Sequence, residues 1–260
     1  MIPYFKNETI TLYKGDCLEI LPQLDIKFDA CITDPPYGTT FCKWDSVIPF
    51  DKMWEIIYNN IKKTAVICLF GSEPYSSQLR CSNLKNFKYD WIWEKSKASN
   101  FLKAKTTPLK AHEIISVFYN AFPITYNPQM EQKNPYPPFK SKKQGSNAEH
   151  LKGEIPNPRF RHGSPDGLRY PRSVIYFKTS DNEKDTKLHP TQKPIELMEY
   201  LIKTYTNEDD IVLDFAAGSG TTGVACINTN RRCVLIEKEE KYCEIIKNRL
   251  INLTTQESLF

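Results

Sequence analysis

The chain predicts an α/β fold with a mainly parallel sheet, helices flanking it and one inserted lobe. Three observations carry that expectation. Short apolar runs alternate with amphipathic stretches over most of the 260 residues, the pattern of parallel strands joined by helices. One apolar run ends in Asp34-Pro35-Pro36-Tyr37, and another leads into a glycine-rich turn, Asp214 to Thr222. Open α/β sheets bind ligands at such strand carboxyl ends. The stretch 121–188 breaks the rhythm, holding nine of the 18 prolines and no long periodic run.

In chain order, strands are expected at 9–12, 30–33, 65–70, 90–93, 114–119, 211–214 and 233–237. Helices are expected at 18–24, 53–61, 75–83, 194–204, 221–228 and 240–250. The run Phe28-Asp29-Ala30-Cys31-Ile32-Thr33 has the composition of a strand buried in a parallel sheet. Segments such as Asn134-Pro135-Tyr136-Pro137-Pro138 suit neither a helix interior nor a central strand. A structureless loop as long as 121–188 is unusual inside a compact domain, which argues for a lobe. Its low apolar content leaves a partly disordered linker as the alternative. Pro194 sits where a helix start tolerates it.

The charge balance is 35 basic against 31 acidic residues, +4 overall, a weak pointer to nucleic acid. Its distribution says more. From Gln129 to Arg172 there are nine Lys/Arg against four Asp/Glu. The eight cysteines form no C-x-x-C pair, which argues against a zinc ribbon or a thioredoxin motif. No histidine has partners at metal-ligand spacing, so no metal is expected. No secretory signal and no apolar stretch of about 18 residues is visible. A cytoplasmic protein with reduced thiols and no membrane partner is the expectation.

The Asp34–Tyr37 corner has a specific chemistry. Two prolines fix φ and remove two N–H donors, leaving carbonyls free. Asp34 adds an acceptor and Tyr37 a stacking face. An exocyclic amino group brings two hydrogens and needs two acceptors, so the corner suits an aromatic amine nucleophile. A plain proline turn is the alternative. The turn around Gly218-Ser219-Gly220 is neither G-x-G-x-x-G nor a P-loop with its Lys. It suits a ligand with an amino-acid tail better than a triphosphate, and Asp214 is placed to meet an ammonium. Glu237 ends the next apolar strand, where an acid commonly binds ribose hydroxyls; a solvated acid is the alternative. His189-Pro190-Thr191-Gln192-Lys193-Pro194 is a dense polar segment before a helix.

Together and in this order, these residues resemble the S-adenosylmethionine-dependent amino-methyltransferases of DNA, in their circularly permuted β group. The resemblance covers nearly the whole chain and is weakest from 130 to 170. It implies a Rossmann-like, seven-stranded methyltransferase sheet. It implies a catalytic half (1–120), a target recognition region (121–188), a cofactor half (189–252) and a tail (253–260). Asp34, Pro35, Pro36 and Tyr37 match the catalytic motif. Asp16, Cys17 and Leu18, after Gly15, match the segment touching the cofactor's adenine. Asp34 also counts with the cofactor residues. His189, Thr191, Gln192 and Lys193 match the segment flanking the methionine moiety. Asp214, Ala216, Gly218, Ser219, Gly220, Thr221 and Thr222 match the glycine loop, and Glu237 the ribose acid. One departure is Ala216-Ala217 before the first loop glycine, where the family usually has Phe or Thr and then a larger residue.

The resemblance implies S-adenosylmethionine as cofactor, S-adenosylhomocysteine as product and no metal. It implies a flipped-out base in double-stranded DNA as substrate. Asp at position 34, where N4-cytosine enzymes more often carry Ser, favours adenine N6. An N4-cytosine methyltransferase is the nearer alternative. A non-catalytic DNA-binding module of the same fold is the farther one, against which the intact acid corner and Gly218-Ser219-Gly220 argue. Phe41, Lys43 and Trp44 are expected at the opened stack, with core packing the alternative for the aromatics. Lys140, Lys142, Lys143, Arg159, Arg161, Arg169 and Arg172 are expected on phosphates or guanine edges. A paired restriction endonuclease and a monomeric or homodimeric state are both compatible with the family.

Overall fold

The computed structural model describes residues 1–39, 45–137, 163–180 and 192–257. They form two compact units, Met1–Asn127 with Ser173–Phe260, and Pro128–Arg172. The strands in chain order are β1 (Phe5–Lys6), β2 (Ile10–Lys14), β3 (Phe28–Thr33), β4 (Ile61–Gly71), β5 (Phe87–Ser99), β6 (Lys110–Tyr119), β7 (Glu131–Gln132), β8 (Leu168–Arg169), β9 (Val174–Phe177), β10 (Ile211–Asp214) and β11 (Arg232–Glu237). The helices are α1 (Cys17–Ile20), α2 (Phe50–Asn60), α3 (Tyr75–Ser82), α4 (Ile195–Tyr205), α5 (Thr221–Asn228) and α6 (Glu240–Glu257).

In the first unit, nine strands among the described residues form one sheet, ordered β1-β2-β11-β10-β3-β4-β6-β5-β9. Strands β2, β11, β10, β3 and β4 run parallel to their neighbours within that set. Strand β6 is antiparallel to both β4 and β5. A short connection suffices for an antiparallel hairpin, which is why β5 and β6 need no crossover helix. The seven strands from β2 to β5 are those expected; β1 and β9 are short additions at the two edges.

The sheet is covered on both faces. Along β4, Val66, Cys68 and Phe70 pack with α4, α5 and α6, while Ala65, Ile67 and Leu69 pack with α1, α2 and α3. That alternation follows from the period of two along a strand. Residues 65–71 are buried on both faces, as a central strand requires. The expected helix 18–24 is α1 followed by a 3₁₀ turn, Leu21–Gln23, with Pro22 near its start. Among the described residues, no helix is long and apolar enough to cross a membrane.

The second unit is built on β7 and β8, an antiparallel pair with Glu131 opposite Arg169. Tyr136 and Ser164 form a further bridge. The Arg169 guanidinium lies 4.0 Å from the Tyr136 ring centre and donates to the Asn134 carbonyl at 2.8 Å. This unit is shorter than the expected 121–188 lobe. Val174–Phe177 pairs in parallel with β5 and belongs to the first unit.

Candidate functional site

Strand order places the two informative motifs side by side. Strands β3 and β10 pair in parallel, Val212 with Ala30 and Leu213 with Cys31, so Asp34 and the glycine turn leave the sheet at the same end. The Phe215 amide also donates to Thr33 Oγ1 at 3.2 Å. Beyond these strand ends lies a cavity of about 670 Å³, within the range of small-molecule sites.

The Asp34 corner is held from both directions. Its carboxylate accepts from the Tyr37 hydroxyl on one oxygen and from Lys193 on the other. The Tyr37 ring stacks on Tyr75, with centroids 5.0 Å apart. Beyond Tyr37 the chain turns at Gly38, where φ is +68°, a conformation glycine adopts without strain. Asp45 clamps that turn, accepting from Gly38 N at 2.8 Å and Thr39 N at 2.9 Å. The prolines thus fix the corner's entry and Asp45 its exit.

Lys193 is the centre of a buried charge network. Its ammonium also lies 3.4 Å from Glu113, which in turn meets Lys95 at 3.2 Å. Side-chain exposure is 8% for Lys193, 17% for Glu113 and 22% for Asp34. Burial raises the Asp34 pKa and Glu113 adds to it, together outweighing the pull of Lys193. Burial works against the Lys193 charge, yet Asp34 and Glu113 hold its pKa above the ordinary lysine value. Burial also opposes the Glu113 charge, but Lys193 and Lys95 keep its pKa low. Two acids and two lysines therefore balance, which is what allows four charges in one poorly solvated place.

On the opposite wall, Asp214 braces the glycine loop. It accepts from Ala216 N at 3.2 Å and from the Thr222 hydroxyl. Burial lifts its pKa to about 6. Glu237 accepts from Gly218 N and from Glu239 N, each at 2.8 Å, and burial raises its pKa too. Thr33 also hydrogen-bonds to the Asp214 carboxylate. A carboxylate has about four lone-pair sites, so both acids retain capacity for a ligand hydroxyl or ammonium. Asp16 caps α1 through Leu18 N at 2.9 Å and meets Lys238 at 3.2 Å. The Gly15 amide donates to the Glu237 carbonyl at 2.9 Å, which ties these two segments together. Burial pushes the Cys17 thiol up to about 12, so it lines the wall as an apolar surface rather than as a nucleophile.

Of the expected site residues, Asp16, Cys17, Leu18, Asp34, Pro35, Pro36, Tyr37, Gln192, Lys193, Asp214, Ala216, Gly218, Ser219, Thr221, Thr222 and Glu237 line this one cavity. Gly220 does not line it. It caps α5 with φ at +77°, and a Cβ there would stand 2.9 Å from Ile246. His189 and Thr191 lie outside the described residues, as do Phe41, Lys43, Trp44, Lys140, Lys142, Lys143, Arg159 and Arg161. Arg169 is engaged inside the second unit, and Arg172 is exposed. Nothing in the sequence marked Thr33 or Tyr75 for the site; Lys95 and Glu113 lie in segments, 91–95 and 111–113, that fit the family resemblance without pointing to a role. Among the described residues, no group of three or more His, Cys, Asp or Glu is placed to hold a metal ion.

A doubly covered, mainly parallel sheet with a ligand cavity at its strand carboxyl ends is a Rossmann-like architecture, here the methyltransferase form of it. The chain belongs to the DNA methylase family, whose N6/N4 methyltransferase model matches residues 28–248. It is 28% identical to the DNA adenine methyltransferase YhdJ of Escherichia coli (strain K12), over 95% of this chain and 84% of that protein. It superimposes on the M1.HpyAVI–SAM complex with a TM-score of 0.60 at 26% identity, covering 92% of this chain and 99% of the other. Its fold is also that of the cytosine-N4-specific PvuII DNA methyltransferase, with a TM-score of 0.64 at 16% identity, over 95% and 88% of the two chains.

Proposed function

We propose that this protein is a site-specific DNA methyltransferase that uses S-adenosylmethionine to methylate the N6 amino group of a flipped-out adenine. One observation carries the reading: the Asp34 corner and the glycine loop leave adjacent parallel strands and line one cavity. The donor set fits the cofactor. Asp214 offers an acid for an ammonium, Glu237 an acceptor for ribose hydroxyls, and Gly218 and Ser219 a close backbone approach. Asp16, Cys17 and Leu18 would flank the adenine ring, with Gln192 and Lys193 toward the methionine end. Bound S-adenosylmethionine supplies an electrophilic methyl group.

The chain's own residues act on the target amine. Asp34 and the Pro35 carbonyl accept its two hydrogens, which turns the nitrogen lone pair out of ring conjugation. Lys193 and Tyr37 each occupy one Asp34 oxygen, but a carboxylate has about four lone-pair sites, so the amine is received beside them. Their contacts hold Asp34 in one orientation, and such preorganisation is what strengthens a hydrogen bond as the nitrogen gains positive charge. Tyr37 offers its ring to the base. The basic, aromatic stretch within 128–172 would meet the duplex as the target recognition region.

The carboxylate at position 34 and the likeness to an adenine methyltransferase support adenine over cytosine. The test is nucleoside analysis of unmethylated DNA after incubation with the protein and S-adenosylmethionine. N6-methyladenine is the expected product. N4-methylcytosine would transfer the same site to the other base.

A further inference from the structure

Flipping a base into the cavity leaves a gap in the duplex stack, and a filled gap keeps the base from falling back. The filler must be apolar, exposed and on the rim of the same cavity. The outer end of the β5–β6 hairpin meets all three conditions. Every residue from Lys97 to Leu109 is exposed. At the tip, a 3₁₀ turn (Phe101–Lys103) follows Asn100 in the left-handed conformation. It presents Phe101 at 73% and Leu102 at 89% exposure. Phe101 also lines the cavity that holds Asp34, together with Lys95, Lys97, Ala98, Ser99 and Asn100. Of the other large exposed apolar residues among the described residues, only Val47 lines that cavity, and it packs against the Gly38 turn.

The charge of the tip points to the occupant. Residues 95–110 contain five lysines and no acid. Lys95 is held by Glu113 and Lys110 by Ser72. Lys97, Lys103 and Lys105 are exposed. Two adjacent apolar side chains in water, flanked by cations, make a poor solvent surface but a good counterpart for stacked bases between phosphates.

We infer that the β5–β6 tip is a duplex-opening wedge: Phe101 and Leu102 enter the stack beside the extruded base, while Lys97, Lys103 and Lys105 take the flanking phosphates. The inference rests on the DNA-methyltransferase reading and adds to it a second DNA-contacting element, distant in sequence from 128–172.

The test uses the full chain and a duplex carrying its methylation site, found by sequencing DNA that it has methylated. Single-turnover methyl transfer is measured on the paired duplex and on one whose target base faces an abasic site, where little opening is needed. F101A/L102A is expected to slow transfer at least about tenfold on the paired duplex. On the abasic duplex it is expected to come within about twofold of wild type, with an unchanged melting temperature. K103Q/K105Q is expected to weaken binding of both duplexes and to lower the salt slope by about two. Equal loss on both duplexes, or no loss on either, overturns the wedge. An unchanged salt slope overturns the phosphate contacts. A wild-type protein that methylates no DNA overturns the reading beneath the inference, and that result does not depend on any variant.

Discussion

Lys193→Met removes the ammonium shared by Asp34 and Glu113, and with it the cation 5.1 Å from the Phe70 ring centre, while keeping an unbranched side chain. Breaking a buried ion pair by deleting one partner costs about 3–5 kcal/mol. Glu113 retains Lys95, so Asp34 is the stranded charge and the lower figure applies, about 3 kcal/mol at pH 8. At roughly 2–4 °C per kcal/mol for a chain of this size, the melting temperature should fall by about 6–12 °C. The pH dependence separates a stranded charge from simple misfit. Asp34 already has a raised pKa, and losing Lys193 raises it further above the unfolded value. The folded state then binds a proton that the unfolded state does not, so stability falls as pH rises. The deficit should therefore shrink on acidification, by about 1.4 kcal/mol per pH unit between the variant's Asp34 pKa and the lower, though also raised, wild-type one. Thermal unfolding of wild type and variant at pH 8 and pH 5 reads this directly. An equal deficit at both pH values, or none at pH 8, refutes the assignment of Lys193 as the counter-ion of Asp34.

The glycine loop yields two further predictions. Gly220→Ala places a side chain at φ +77° with its Cβ 2.9 Å from Ile246; the left-handed conformation costs about 1–2 kcal/mol and the overlap about 1–3 kcal/mol, which a lowered urea midpoint should report. Asp214, with a pKa of about 6 set mainly by burial, must be ionised to pair with an ammonium, so cofactor affinity should fall by up to about tenfold per pH unit below that value. Calorimetric titration of Asp214→Asn should show weaker binding at pH 8 and a shallower loss on acidification than wild type, Glu237 with its own raised pKa remaining to titrate; an unchanged slope in that variant would sink the ammonium contact.

The central strands were legible because burial on both faces leaves an unbroken apolar run. Strand β10 has the expected bounds, and β4 and β6 extend theirs by a few residues. Helix α2 passes into β4 with no glycine or proline at Asn60–Ile61, so that boundary carried no punctuation. Strand β1 is two residues long, too short for a period to register, and β9, four residues and partly exposed, lies inside the proline-rich stretch that reads as a lobe. Most of the cavity wall was legible through its motifs, since residues 16–18, the Asp34 corner, the glycine loop and Glu237 lie within a few positions of a strand end, while Gln192 and Lys193 lead into α4. Glu113 and Lys193 were not legible as partners of the catalytic corner. Lys193 is 159 residues from Asp34, and only the antiparallel course of β6 brings Glu113 to the same end of the sheet. Lys193 was expected beside the cofactor, and its engagement with the Asp34 carboxylate follows from tertiary packing alone.

The most direct test of the account is methyl transfer itself, measured as tritium passing from labelled S-adenosylmethionine to unmethylated duplex DNA by wild type and by Asp34→Ala. Transfer by the wild type and a loss of at least about a hundredfold in the variant are expected, the effect of removing one preorganised electrostatic contact. Duplex binding should persist, because phosphate contacts supply most of it. Full activity in Asp34→Ala, or no transfer by the wild type to any DNA, would contradict the account.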